Sequence, residues 1–383
     1  MSINLHIYPS HFQFESRIVK QTKAIAEQGL FDEIIILAFW KEGLQTEQQI
    51  DDKRKVIRIK TFFEEKSNGN KLLKLLAFIE LFLKSILYFN KHDVHLINCH
   101  SLTVLPLSCV LKWLKKSVLV YDTHELETER NGLQGIRKKL ESFTESLLIK
   151  HVDAISVVGP SIMNWYVERY SWTKPICVLR NIPETKEINS PKQNFRAFFK
   201  IPDTSKVFLY QGLVAKGRGI PELIAAFEKL DNSNHLIVMG YGAMEEFVRS
   251  NPSTNIHWFD AVPQNEVLGY TAQADVGLSL GENVCLSYYL SLPNKMFEYI
   301  KCGVPVLSSN FPDMETVIQG GDCGWNIEPK REKIYEFISA LESSAIKEKS
   351  ENTISYRSQL EWSTEIIEYL KLIEKASLMK SKK

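Results

Sequence analysis

Residues 291–306, Ser-Leu-Pro-Asn-Lys-Met-Phe-Glu-Tyr-Ile-Lys-Cys-Gly-Val-Pro-Val, place Asn294, Lys295 and Glu298 on the first turns of a helix that stops at Gly303. Pro293 opens it where no amide hydrogen is needed. Asn294 and Glu298 share a face, and Lys295 sits beside it. A lysine at the positive end of a helix dipole costs on the order of 0.3 kcal/mol. That cost suggests that it serves something anionic. A carboxylate one turn into the helix has the reach to accept two vicinal hydroxyls, as in a ribose. Gly303 caps the helix and Val304-Pro305-Val306 enters a buried strand. A merely solvated helix face is the alternative.

A second cluster lies upstream. An apolar strand ends at Gly212, the loop Lys216-Gly217-Arg218-Gly219 follows, and a helix then starts with Pro221 in its first turn. Glycines let backbone N–H groups approach an anion closely, and a helix N-terminus adds about half a positive charge. With two cations beside it, this is a candidate diphosphate site. A Gly-rich turn with two solvated cations is the competing reading. The segment Gly240-Tyr241-Gly242 repeats the strand–glycine–helix order, as many ordinary αβ turns do. Val262-Pro263 forms an apolar turn whose backbone has the geometry to meet a flat base, or no role beyond turning.

These residues need elements to hold them. Apolar runs at 3–8, 33–39, 56–59, 94–99, 117–121 and 154–158 read as strands, separated by helical patterns at 14–28, 70–90, 103–115, 136–150 and 160–170. The pattern restarts with strands at 206–212, 235–240, 255–259, 274–280 and 304–309, and helices at 219–230, 243–250, 264–272, 293–301 and 330–345. Strand–helix alternation predicts doubly wound parallel sheets. The expected fold is α/β, two Rossmann-like domains facing across a ligand cleft. Residues 1–183 form the first and 184–361 the second, with a linker in 181–194. An amphipathic C-terminal helix within 362–383 packs back on the first domain, and its tail Lys-Ser-Lys-Lys frays.

Composition excludes several classes. The 383 residues are 44% hydrophobic and 24% charged, which describes a folded protein too long for one ordinary core. A net charge of +1 gives no argument for nucleic acid. Residues 1–185 hold 25 Lys and Arg against 21 Asp and Glu, so the small cationic surplus falls on the first half. The six cysteines form no C-x-x-C pair and read as buried thiols in a reducing compartment. The N-terminus has no signal-peptide pattern, and no 18-residue apolar run exists to span a membrane. The expected location is cytoplasmic, with peripheral contact at the inner face of the membrane.

Loop 212–219, Gly240-Tyr-Gly242, Ala-Asp-Val-Gly-Leu-Ser-Leu (274–280) and the 293–306 stretch follow one another in an order and spacing that resemble the retaining glycosyltransferases of family 4, with the GT-B fold. The resemblance spans nearly the whole chain and is strongest over 206–320. The variant Ser-Leu-Pro-Asn-Lys-Met-Phe-Glu-Tyr looks like that of enzymes building bacterial surface polysaccharides. The resemblance implies that Glu298 binds the donor ribose, that Arg218 and Lys216 hold the diphosphate, and that Val262 meets the base. Gly212, Gly217, Gly240, Gly242, Asn294 and Lys295 would complete the donor site. It further implies that His124, in Val-Leu-Val-Tyr-Asp-Thr-His-Glu (118–125), contacts the donor sugar near the reacting carbon, with His100 the second choice. A lone histidine after a strand is also a common structural cap.

The implied substrates are a UDP- or GDP-linked sugar and a saccharide or polyprenyl-linked acceptor, with no metal and no other cofactor. The pattern departs from the family in three places. Leu290 stands where a second acid usually lies, and Glu282 is sixteen residues before Glu298. Leu213 replaces the usual arginine. Tyr-Pro-Ser-His-Phe (8–12) replaces the Gly-Gly turn after the first strand. These departures keep a non-catalytic nucleotide-binding relative in view, and a nucleotide-sugar 2-epimerase as a remoter alternative. The helical pattern 71–91, apolar almost all round with lysines interspersed, is either buried or dips into an anionic membrane. Segments 112–116 and 136–141 add cations to the same domain.

Overall fold

A computed structural model describes residues 2–13, 15–65, 70–184 and 188–380. Parts of two expected features, the linker at 185–187 and the tail at 381–383, lie outside the described residues. The chain divides into two compact units, Met1–Leu179 with Ile366–Lys383, and Arg180–Glu365.

The first unit is built on eight strands: β1 (Ile3–Ile7), β2 (Glu33–Phe39), β3 (Glu47–Gln49), β4 (Arg54–Ile59), β5 (Val94–Cys99), β6 (Val118–Asp122), β7 (Ala154–Val157) and β8 (Ile176–Val178). Their order is β3-β4-β2-β1-β5-β6-β7-β8. All pairings are parallel except β3 with β4. The central strands are buried along almost their whole length, which is why they read as unbroken apolar runs. The second unit has β9 (Lys206–Leu213), β10 (Asn234–Tyr241), β11 (Ile256–Asp260), β12 (Val276–Ser279), β13 (Val306–Ser309) and β14 (Gly324–Ile327), all parallel, in the order β11-β10-β9-β12-β13-β14. Alternate residues of β9 feed two cores. Val207 and Leu209 join one, Phe208 and Tyr210 the other. Helices therefore cover both faces. In each sheet the strand order reverses once, between β1 and β5 and between β9 and β12, and ligands in doubly wound folds bind outside the strand ends at such points.

Several elements differ from the expected pattern. β3 is exposed and polar, so its sequence carries no periodic apolar signal. β8 and β14 are short, and the helix Pro312–Gly321 lies between β13 and β14. The pattern at 330–345 is two helices, Arg331–Ala340 and Ser343–Tyr356, because Leu341 takes an extended backbone between them. The helix after Gly242 begins only at Glu245 and has 5 residues, too short to repeat the arrangement after Gly219. Pro293 is the extended residue before its helix, which runs Asn294–Lys301.

The final helix, Trp362–Lys380, buries Tyr369 and Ile373, and the Tyr369 hydroxyl donates to Asn98 Oδ1 at 2.9 Å, which ties the C-terminal segment to β5. Glu145 is buried yet accepts from the hydroxyls of Tyr121 (3.0 Å), Tyr166 (2.8 Å) and Tyr170 (2.7 Å), so its helix Gly135–Leu148 is fastened to β6 and to helix Pro160–Tyr170. The helix Lys71–Phe89 resolves the two readings of its sequence into two faces. Ala77, Leu81, Ser85 and Phe89 are buried, while Leu72, Leu75, Ile79, Leu83 and Leu87 form an exposed apolar stripe. Helix Gly135–Leu148 exposes a second stripe, Ile136, Leu140, Phe143 and Leu147.

In the second unit, helix Asn294–Lys301 lies close against the sheet because Gly277 has no side chain. A Cβ there would stand 2.2 Å from the Tyr299 ring. Gly277→Ala is expected to destabilise the protein by about 1–3 kcal/mol, the usual range for overpacking a core, read as a lower urea midpoint at unchanged slope. An unchanged midpoint would contradict this packing.

Candidate functional site

The sites grow from the strand ends. β12 pairs with β9 only through Val276 with Phe208 and Gly277 with Leu209. Beyond that the two strands part, and backbone groups lose their ladder partners. The Tyr299 hydroxyl fills the gap: it donates towards Leu209 O (2.9 Å) and Leu278 O (3.3 Å) and accepts from Gln211 N–H (3.2 Å). This contact, made from its second turn, holds helix Asn294–Lys301 at the switch point.

Two cations meet there. Lys295 Nζ sits 3.6 Å from the centroid of the Tyr210 ring, and the Arg218 guanidinium lies 4.4 Å from that of Tyr288. Both line a small pocket with Ser279, Gly281, Ser291 and Pro293. Arg218 Nε is buried and has no hydrogen-bond partner among the described residues. Such a donor is costly to leave unmade and is the kind of group an incoming anion satisfies. Burial, and then Arg218, pushes the Lys295 ammonium down to about 7, against the opposing pull of Glu298.

Arg218 enters this pocket from the loop after β9. Gly217 and Gly219 both take positive φ, and Gly219 caps the helix Ile220–Phe227. A Cβ on Gly219 would stand 1.8 Å from Leu280 O, so the loop is pressed on the end of β12. Lys216 in the same loop is exposed. Glu298 does not line the pocket directly; its Oε2 accepts from Gln211 Nε2 at 2.6 Å, and Gln211 Oε1 accepts from Thr271 Oγ1 at 2.8 Å. Gly212 and Gly240 face each other across β9 and β10. Gly240 and Gly242 pack against backbone of residues 212–214 and shape the sheet end. Val262 is half-buried against the core, and Asn294 is exposed.

In the first unit, His124 and His100 follow β6 and β5. Asp122 is fully buried between them, 3.0 Å from His100 Nδ1 and 3.3 Å from His124 Nε2. Its oxygens also accept from Arg17 Nη2 (2.7 Å) and Gln21 Nε2 (2.8 Å). Burial raises the Asp122 carboxyl, but the Arg17 guanidinium and the two imidazoles outweigh it and hold it well below the usual range. His100 is wholly buried and its Nε2 lies 2.8 Å from His6 Nδ1. Burial depresses it to about 4, even beside Asp122. His124 is partly exposed, with its ring 5.5 Å from Tyr8. His100, Asp122 and His124 offer three metal-ligand atoms within 4.8 Å of one another, but a cation there would share Asp122 with the Arg17 guanidinium. The arrangement fits an oriented imidazole better than a metal centre.

The sequence reading missed Gln211, Tyr299, Asp122 and Arg17. Gln211 lies next to Gly212 near the end of β9, and Asp122 ends β6 two residues before His124, which is the one signal that pointed to them.

Residues 191–359 match the family model of glycosyl transferases group 1. Over 250 residues the chain is 24% identical to the chitobiosyldiphosphodolichol beta-mannosyltransferase of Candida albicans, covering 58% of this chain and 54% of that protein. The chain thus spans about half the length of this relative. Sucrose-phosphate synthase from Thermosynechococcus elongatus superposes with a TM-score of 0.80 at 14% identity, covering 98% of this chain and 99% of that one. HepE of Anabaena, in complex with UDP and glucose, gives 0.73 at 12%, covering 98% and 100%. The fold is that of the GT-B glycosyltransferases.

If the Lys295–Arg218 pair holds an anion, that binding has a pH dependence of defined direction. An anion between the two cations favours charged Lys295 and raises it above about 7. Binding then takes up a proton, so affinity for a nucleoside diphosphate should fall between about pH 7 and 9, by up to about tenfold per unit. Lys295→Met should bind more weakly with a flat profile by calorimetry. A flat wild-type profile would remove Lys295 from the anion site.

Proposed function

We propose that the protein transfers a sugar, with retention, from a UDP- or GDP-linked donor to a saccharide or lipid-linked saccharide acceptor, in assembly of a bacterial surface polysaccharide. The observation that carries this reading is the buried Arg218 Nε without a partner, facing the same pocket as Lys295 at the switch point of a nucleotide-binding type of sheet. Departure of a nucleoside diphosphate develops negative charge, and Arg218, Lys295, Lys216 and the amides at Gly219 stabilise it in this reading without a metal. Glu298, oriented by Gln211, takes the ribose hydroxyls. His124, fixed by Asp122, contacts the donor sugar. The acceptor proton passes to the leaving phosphate, and no protein base is assigned. HepE with bound UDP supports a nucleotide ligand on this fold, and the name of the Candida relative supports a lipid-linked acceptor.

The apolar stripes support a peripheral membrane station for such an acceptor. Leu72, Leu75, Ile79, Leu83 and Leu87 lie on the helix that carries Lys74 and Lys84, and Ile136, Leu140 and Phe143 alternate with Arg137, Lys138 and Lys139. No helix among the described residues is long and apolar enough to cross a membrane.

Leu290 in place of the usual acid favours the second reading, a non-catalytic nucleotide-binding relative, and the same assay separates the two. Wild-type protein given a panel of nucleotide sugars with lipid extract should release nucleoside diphosphate from one of them. Glu298→Ala should lower kcat/KM by roughly 10–100-fold, the scale of a charged hydrogen bond. Nucleotide binding with no release from any donor would establish the second reading. Separately, the protein should float with anionic liposomes at low salt, and Leu83→Glu with Leu87→Glu should abolish flotation while the melting temperature holds. Wild-type protein that ignores such liposomes would remove the membrane from the proposal.

A further inference from the structure

The helix N-terminus beside Arg218 is already occupied by an anion of the protein's own. Glu282 Oε1 accepts from the Gly219 N–H at 3.2 Å, at the cap of helix Ile220–Phe227. The backbone around it is fixed. Glu282 N–H donates to Gly217 O at 3.0 Å, and Ser309 Oγ donates to Gly281 O at 2.7 Å. The end of β12 is pressed so close to Gly219 that the loop has no room for a Cβ. Only the Glu282 side chain is left to turn. Nearby, Arg218 Nε stays buried without a partner. The loop thus presents one amide filled by a carboxylate and one guanidinium donor left open.

We propose that Glu282 is a built-in competitor for the diphosphate seat: it holds the Gly219 amide in the empty protein, rotates away when the nucleotide's phosphates arrive, and returns to help expel the nucleoside diphosphate after transfer. This rests on the donor-site reading above. The physical reason is that two anions do not share one helix cap in a partly buried pocket, whereas either alone is stabilised by it. No bond is made or broken. The displaced carboxylate moves into solvent and the amide changes acceptor. The competition sets the lifetime of the product complex, and product release is the slow step in many enzymes.

The test uses the whole protein with UDP and GDP as probes, measuring affinity by calorimetry and dissociation by stopped flow. Glu282→Gln keeps the shape and removes the charge; Glu282→Ala removes both. Both variants should bind the preferred diphosphate about tenfold more tightly, with the gain in the dissociation rate, and under turnover kcat and KM should fall together. If wild type binds a diphosphate but both variants bind it equally or more weakly, Glu282 is only a structural cap and the inference is overturned. If wild type binds neither probe, the donor-site reading itself fails, and the inference with it.

Discussion

The Tyr299 hydroxyl, set where β9 and β12 separate, is the contact on which the second unit's site depends. A parallel sheet that reverses its strand order leaves backbone groups without partners at the reversal. Unpaired, each would cost about 1–3 kcal/mol if buried. Here a phenol from a helix takes them up. The same helix is thereby fixed in rotation and depth, and Gly277 gives it the clearance. Lys295 and Glu298, one turn or less away, inherit their positions from that anchor. What makes the sheet satisfiable also aims the charged side chains.

Electrostatics then divides the labour. A partly buried lysine beside an arginine is unfavourable for folding, and the aromatic faces of Tyr210 and Tyr288 offset only part of it. Stability alone would be better served by neutral residues at both positions. Their presence is explained if a ligand supplies the missing negative charge, since donors held in advance need little rearrangement when charge develops. The first unit solves the opposite problem. Asp122 would be intolerable alone at full burial, and Arg17 and Gln21 make it a stable acceptor around which His100 and His124 are oriented. Through His6, Asn98 and Tyr369 the same network reaches the C-terminal helix.

Much of this was legible in the sequence, for reasons that can be named. Fully buried parallel strands leave unbroken apolar runs, so β1, β2, β5 to β7 and β9 to β13 stood out. Glycines at 217 and 219 marked a positive-φ turn, and the unfavourably placed Lys295 is the residue that the structure sets beside Arg218 in one pocket. β3, β8 and β14 did not stand out, because edge or short strands bury too little to constrain composition. Exposure of the Leu72–Leu87 stripe was beyond reach too. A helix apolar on both faces, with Lys74, Glu80, Lys84 and Ser85 interspersed, has too few polar residues to show which side faces out.

The residues missed at the sites share one property: each acts through a long-range contact. Gln211 meets Glu298 from 87 positions away, Arg17 meets Asp122 from 105, and Glu282 meets Gly219 from 63. No local period or motif encodes such a pair. Glu282 makes the point most sharply. Judged by spacing, sixteen residues before Glu298, it could not make the usual second acid's contact without a different loop. The fold brings its carboxylate to the helix cap next to Arg218 all the same, because β12 and β9 are neighbours across the switch point. Residues that present a ligand with charge are recognisable by type. Those that hold or oppose them become visible only when the sheet order is known.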